Sequence, residues 1–138
     1  MDPARRSGWL RHERGAAAVE YGLILPVMLL FVFGIIDIGR LMWTYTTLSR
    51  ATEAAARCGA VDMNNCATVT QIKTRGVNEA WGLTIAPSAF TPTAAACGVH
   101  VVGTYSFVFA IPALMGASPL GTITLNATAC YPIMNTPS

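Results

Sequence analysis

The sequence predicts an α+β protein built from one long N-terminal helix, a short second helix and a small antiparallel β-sheet. Three observations predict it. Residues Ala16 to Ile36 form 21 consecutive positions interrupted by one charge, Glu20. Apolar residues then recur at helical spacing as far as Ala55, with no breaker except Gly39 before Gly59. Further on, Val99–Phe109 and Thr122–Cys130 alternate apolar with polar residues, as half-buried strands do. The totals agree. At 138 residues and 14.6 kDa the chain has room for one modest core. Hydrophobic residues make up 53% and charged ones 12%, about half the usual charged share, which excludes intrinsic disorder. Nine Lys and Arg against seven Asp and Glu give a net charge of +2. That balance is too even for a chain that grips a phosphate backbone, so no nucleic-acid partner is expected.

The first element is a membrane span. The run AAAVEYGLILPVMLLFVFGII reaches roughly 31 Å as a helix, the thickness of a bilayer's hydrocarbon core. Pro26 would break such a helix in water, but in lipid leaving the helix exposes unpaired backbone groups, so a kink is the cheaper outcome. Arg5, Arg6, Arg11 and Arg14 precede the span, offset only by Asp2 and Glu13. Positive flanks stay in the cytoplasm, which places the N-terminus inside and the rest of the chain outside. A cleaved secretory signal describes the segment poorly, since its apolar core runs about 7–15 residues before a small-residue cleavage site. Here the run is longer and ends at Asp37 and Arg40.

Beyond the span, Ile38, Leu41, Tyr45, Leu48, Thr52 and Ala55 form a stripe with alternating spacings of three and four. A helix from Ala16 to Arg57 is roughly 63 Å long, about twice the membrane core, so its outer half must pack on something. The candidates are the chain's own C-terminal domain and neighbouring helices, on different faces if both. Asn64 and Asn65 suit a turn or cap before a shorter helix over about Ala67–Trp81, with Val69, Ile72, Val77 and Ala80 partly periodic. Pro87, Pro92 and the TPTAAA stretch mark a loop. On the first clear strand Val99, Val101, Tyr105, Phe107 and Phe109 share one face, with His100, Thr104 and Ser106 on the other. On the next, Ile123, Leu125, Ala127 and Ala129 share a face. The two should pair antiparallel through a loop over Ile111–Gly121, with a third strand near Leu83–Ala86.

All four cysteines, Cys58, Cys66, Cys97 and Cys130, follow the span. An even number in an exported segment points to two disulfides, with reduced structural thiols as the alternative. Three pairings are possible. The favoured one joins Cys58 to Cys66, closing a short loop, and therefore Cys97 to Cys130. It carries a difficulty: Cys97 has the parity of the apolar face of its strand, and Cys130 the parity opposite to Ile123 and Leu125, so a bulge or strand end is required. No C-x-x-C pair occurs and His100 has no partner at ligand spacing, so no metal site is expected. Exported carboxylates are few and far apart, and no phosphate-cradling glycine loop occurs. Catalytic residues and cofactors are accordingly expected to be absent, and with them an enzyme. Asn126-Ala127-Thr128 matches a glycosylation sequon and reads as ordinary strand.

One short stretch carries more. At the inner edge of the span the chain reads Arg14-Gly15-Ala16-Ala17-Ala18-Val19-Glu20-Tyr21. A basic leader, a glycine, four small or apolar residues, then glutamate and an aromatic resembles the processing site of type IV pilin-like precursors. The wider segment RGAAAVEYGLILPVMLLFVFGIIDIGRLMW resembles the N-terminal region of the TadE family, minor pilin-like components of tight-adherence pilus systems, specifically over roughly residues 14–60 and loosely thereafter. Many type IV pilins carry Phe first and a Thr-Leu-Ile lead-in to the glutamate. Ala16, Ala17, Ala18 and Val19 take those places here, which fits the tight-adherence branch. The resemblance implies that a membrane-embedded prepilin peptidase cuts between Gly15 and Ala16 and leaves Glu20 as the fifth mature residue. It also implies other pilin-like subunits and a pilus assembly platform as partners, besides membrane lipid, and a bacterial inner-membrane location with a periplasmic C-terminal domain.

Electrostatics give that cut a purpose. An acid at the bilayer centre costs about 2.5–3.5 kcal/mol, less near an interface, so intramembrane carboxylates are functional by default. Cleavage would place the new Ala16 amine one helical turn before Glu20. The removed leader carries four Arg against Asp2 and Glu13, a net of +2. The remainder holds five basic and five acidic residues, a net of zero. Losing the cytoplasmic anchor while gaining an amine eases extraction from lipid or pairing with a neighbour's carboxylate. Snorkelling of Glu20 to the headgroups is the plainer account. The expected division is a basic cytoplasmic leader over 1–15, a transmembrane helix over 16–36, its periplasmic continuation over 37–59 and a small disulfide-bonded α+β domain over 60–138. Two functions follow: a TadE-like minor pilin or pseudopilin processed after Gly15, or an uncleaved bitopic inner-membrane protein with a periplasmic binding module.

Overall fold

The computed structural model describes residues 6–110 and 121–133. In chain order it holds helix α1 (Arg6–Val61), helix α2 (Val69–Glu79) and strands β1 (Phe90–Ala95), β2 (Gly98–Val108) and β3 (Thr122–Tyr131). That is the expected α+β architecture. Of the expected Ile111–Gly121 loop, residues 111–120 lie outside the described residues, as do 1–5 of the leader.

α1 is a single helix of 56 residues with Pro26 inside it. Proline withholds one donor from the carbonyl four residues back, that of Gly22. The helix ends where Asp62 turns the chain. Its carboxylate accepts the backbone N–H of Asn64 and of Asn65 (3.2 and 3.1 Å) and the Asn65 side-chain amide at 2.8 Å. Asn64 and Asn65 are thus turn residues, and the cap of α2 is a residue outside the expected pair, Thr68. Thr68 and Gln71 form a reciprocal capping box, each side chain meeting the other's backbone N–H. α2 spans Val69–Glu79, shorter at both ends than the expected Ala67–Trp81.

The sheet is antiparallel in the order β1-β2-β3. β2 and β3 pair in the register Val101↔Ala129, Gly103↔Ala127 and Tyr105↔Leu125, so the expected apolar faces coincide. The third strand is not at Leu83–Ala86. It is β1, inside the stretch expected to be loop, paired to β2 with Phe90 opposite Gly103 and Pro92 opposite Val101. Prolines make Phe90–Ala95 read as loop, but an edge strand is where a proline costs no ladder bond. Leu83 and Ile85 pack against the core without joining the ladder.

The core lies between the outer half of α1, α2 and one face of the sheet. Leu48, Ala51, Ala55 and Ala56 of α1 meet Ile72 of α2 and Phe90, Val101 and Ala127 of the strands. The far part of the expected stripe holds, with Leu48, Thr52 and Ala55 fully buried, and the part nearest the apolar run is corrected. Ile38 and Tyr45 are 57% and 46% exposed, while Asp37, Thr44 and a run of alanines face inward. Phe90 and Val101 from the sheet and Leu48 from the helix are the largest fully buried apolar side chains, and the rest of the helix face is small: Ala51, Thr52, Ala55 and Ala56. At the closest approach Gly103 lies under Thr52, and a Cβ there would overlap the Thr52 hydroxyl.

Both favoured disulfides form. Cys58–Cys66 ties the end of α1 to the chain before α2, with Cα atoms 5.6 Å apart. Cys97–Cys130 joins the β1–β2 turn to β3, with Cα atoms 6.2 Å apart. The parity difficulty resolves at a strand end, because Cys97 lies in the Ala96–Cys97 turn and carries no strand parity. The turn's positive φ falls on Gly98, at +118°, where a side chain would overlap the Tyr131 carbonyl.

Candidate functional site

The candidate processing residues lie on the first turns of the apolar half of α1. Gly15, Glu20 and Tyr21 are all exposed. From Ala17 to Ile36 every residue is exposed apart from the partly covered Gly34. Among the described residues this is the helix long and apolar enough to cross a membrane, and its most apolar window is almost wholly unburied. Among the described residues a stripe this apolar and this bare is left uncovered, which suits it to lipid or to other helices. Helical geometry puts Glu20 one turn beyond residue 16, so an amine created at that residue would lie within reach of the carboxylate.

The apolar half hands over to the domain at Asp37. Only 3% of Asp37 is exposed. Its Oδ2 accepts the backbone N–H of Ala110 at 2.9 Å, and its Oδ1 accepts a bond from Arg40 Nη1 at 3.0 Å. The Arg40 guanidinium lies over the Phe107 ring, 5.4 Å from its centroid, and Phe107 meets Phe109 edge-on at 5.1 Å. Thr44 donates to the Arg40 carbonyl at 2.8 Å. The end of the sheet nearest the apolar run is thereby tied to α1 one residue beyond that run. In the sequence alone Asp37 and Arg40 are only charges that close the span. Their i,i+3 spacing is the available signal of a pair; the partner at Ala110 lies 73 residues away.

At the opposite end of the domain, α1 and α2 enclose an open cleft of about 620 Å³ beside the Cys58–Cys66 disulfide, lined among others by Arg57, Asn65, Gln71, Arg75 and Asn78. Arg75 pairs with Glu79 at 2.7 Å. The Asn65 side-chain amide, helped by the Asn65 and Asn64 N–H groups and the charge of Arg75, holds the Asp62 carboxyl below the usual carboxylate range. The cleft gathers hydrogen-bonding groups without a nucleophile–base pair. His100 stands apart on the sheet, its Nδ1 3.5 Å from the Thr93 hydroxyl. Among the described residues no three of His, Cys, Asp and Glu cluster as a metal site would need.

Residues 15–57 match the family model described as TadE-like protein. The match covers the apolar half of α1 and most of its outer half, and bears out the resemblance drawn from this segment. Neither the curated proteins nor the solved structures give a match to the chain.

Proposed function

We propose, with the TadE-like match over residues 15–57 as premise, that this chain is a minor pilin or pseudopilin of a tight-adherence pilus system. In this reading prepilin peptidase removes residues 1–15, and the mature subunit takes part in assembling or initiating the fibre. TadE-like proteins are not an enzyme family, and the role is mechanical: a subunit leaves lipid and joins its fellows. The observation that carries the reading is the bare apolar rod beginning at the matched segment, exposed on all sides over residues 17–33. A free rod can exchange lipid for neighbouring helices without disturbing its own domain, whose described contacts with α1 begin at Asp37 and whose apolar cluster takes Leu48, Ala51, Ala55 and Ala56 from it. Glu20 supplies the register. A new amine at Ala16 would neutralise it within one subunit or pair with it between two.

The test is the mature N-terminus. Membrane-fraction protein from cells with prepilin peptidase should begin at Ala16, and protein from cells lacking it should retain Met1. Gly15→Val should leave the leader attached in both, because the peptidase must draw the backbone close at that position. A chain that keeps its arginine-bearing leader in cells assembling functional fibres refutes the proposal. That outcome would favour the second reading, an uncleaved bitopic protein with a periplasmic binding module. Its supporting observation is the polar cleft beside Cys58–Cys66.

A further inference from the structure

The contacts along α1 form a ladder of heights. Gly59 lies against Ile72 and Val99, Gly103 against Thr52 and Leu48, Gly82 against the Trp43 ring, and Arg40 over Phe107. Ala110 meets Asp37. The domain therefore descends the helix to the first residue beyond the apolar run. If residues 16–36 span the bilayer, the domain cannot stand clear of it. Trp43 is seven residues past Ile36, about 10 Å along the axis, and helical side chains lean back toward the N-terminus. The Trp43 ring reaches Gly82, which brings its neighbour Trp81 to the same height.

We infer that this membrane-proximal face of the C-terminal domain rests on lipid, with Trp43 and Trp81 as interfacial anchors at the boundary of headgroups and acyl chains. Trp81 is 75% exposed and Trp43 54%, with Ile38, Met42 and Tyr45 exposed on the same stretch of helix. Tryptophan favours that boundary because its body is apolar and its N–H finds partners among headgroups. The surroundings are poor in charge. Between Ile36 and Leu48 the only charged residues are Asp37 and Arg40, paired with each other, and none occurs from Ala80 to Val99. Continuity with the apolar rod selects lipid over another protein as the occupant, because every copy held by its span presents this face to the bilayer surface. The inference rests on reading residues 16–36 as a membrane span.

Three single-tryptophan versions of the full chain test it. Trp9→Phe with Trp43→Phe leaves Trp81, and Trp9→Phe with Trp81→Phe leaves Trp43. The third replaces all three tryptophans by Phe and adds Phe31→Trp within the span. Each is reconstituted in phosphatidylcholine bilayers brominated either next to the headgroup or near the acyl terminus. Trp43 and Trp81 should emit to the blue of free indole and lose most intensity with bromine next to the headgroup. The indole introduced by Phe31→Trp should be quenched best by the deeper bromine. Unquenched, red emission from Trp81 and Trp43 beside a quenched indole in the span overturns the inference and leaves the span standing. Blue but unquenched emission also overturns it, since protein then covers the indoles. Failure to quench the introduced indole removes the span and the inference together.

Discussion

Asp37 holds a buried carboxylate at the point where the apolar rod meets the domain, and its two described partners come from very different distances along the chain: Arg40 from one turn away, Ala110 from just past the far end of β2. Asp37→Ala should lower the stability of the domain by about 1–3 kcal/mol, the cost of leaving a buried donor unmet. Denaturant titration of detergent-solubilised protein, followed by near-ultraviolet circular dichroism, reads it. Asp62 makes a prediction of another kind. Its carboxyl is held below the usual carboxylate range chiefly by the Asn65 amide. A group whose folded pKa is depressed stabilises the fold above its unfolded pKa and loses that contribution as pH falls through the folded value. Wild type should therefore lose stability on acidification through the carboxylate range, and Asp62→Asn should flatten that limb of the curve. Since Asp62 is solvent-exposed, the difference will be small and reduced by salt. Neither role is legible in the sequence. Asp62 announces nothing beyond a charge near a turn, and the hydrogen bond from Ala110 needs the sheet to exist first.

Among the elements, the two disulfides constrain different amounts of chain. Cys97–Cys130 closes 33 residues and Cys58–Cys66 closes 8. In the chain-entropy account these restrict the unfolded state by roughly 3.7 and 2.5 kcal/mol. Replacing Cys97 and Cys130 by serine should thus cost about 1 kcal/mol more than replacing Cys58 and Cys66, measurable as two urea-unfolding midpoints on otherwise identical protein. The elements also differ in how openly they declare themselves. β2 and β3 are legible because alternation is a local property, and the shared face of Val101, Phe107, Leu125 and Ala127 follows from it. β1 is hidden by Pro92, which is tolerated only because the strand ends up at the sheet edge. The inward face of α1 follows the expected stripe through Leu48, Thr52 and Ala55 and departs from it nearer the apolar run, where Asp37 and Thr44 are buried in place of Ile38 and Tyr45. Opposite Phe90 and Val101 the helix presents Leu48 with the small residues Ala51, Ala55 and Ala56.

For the molecule as a whole, the two halves of α1 live in different surroundings. Residues 17–33 are exposed throughout, and from Leu48 on the same helix is a wall of the core. A rod fixed in its domain at one end and free at the other suits insertion beside neighbouring rods. On the proposed reading, Glu20 sets how neighbours align. Glu20→Gln should still be cut after Gly15, since the scissile bond lies outside the substitution, but should assemble poorly. If the amine–carboxylate pairing contributes ~1.4 kcal/mol, incorporation into fibres falls about tenfold. Quantifying sheared fibres against the membrane-bound pool checks this, and normal incorporation of the variant would reduce Glu20 to a residue that merely reaches the headgroups.

Composition and short-range pattern alone determined the apolar rod, the glycine–glutamate stretch at its N-terminal edge, the α+β class and two of the three strands. Each depends on neighbours within a few positions, where periodicity and solvation act directly on the chain. The edge position of β1, the inward turn of Asp37 and Thr44 on α1, the cap at Thr68 and the Asp37–Ala110 tie were decided by tertiary structure. They depend on which surfaces meet across gaps of many residues, and only packing and the satisfaction of buried polar groups choose among those meetings.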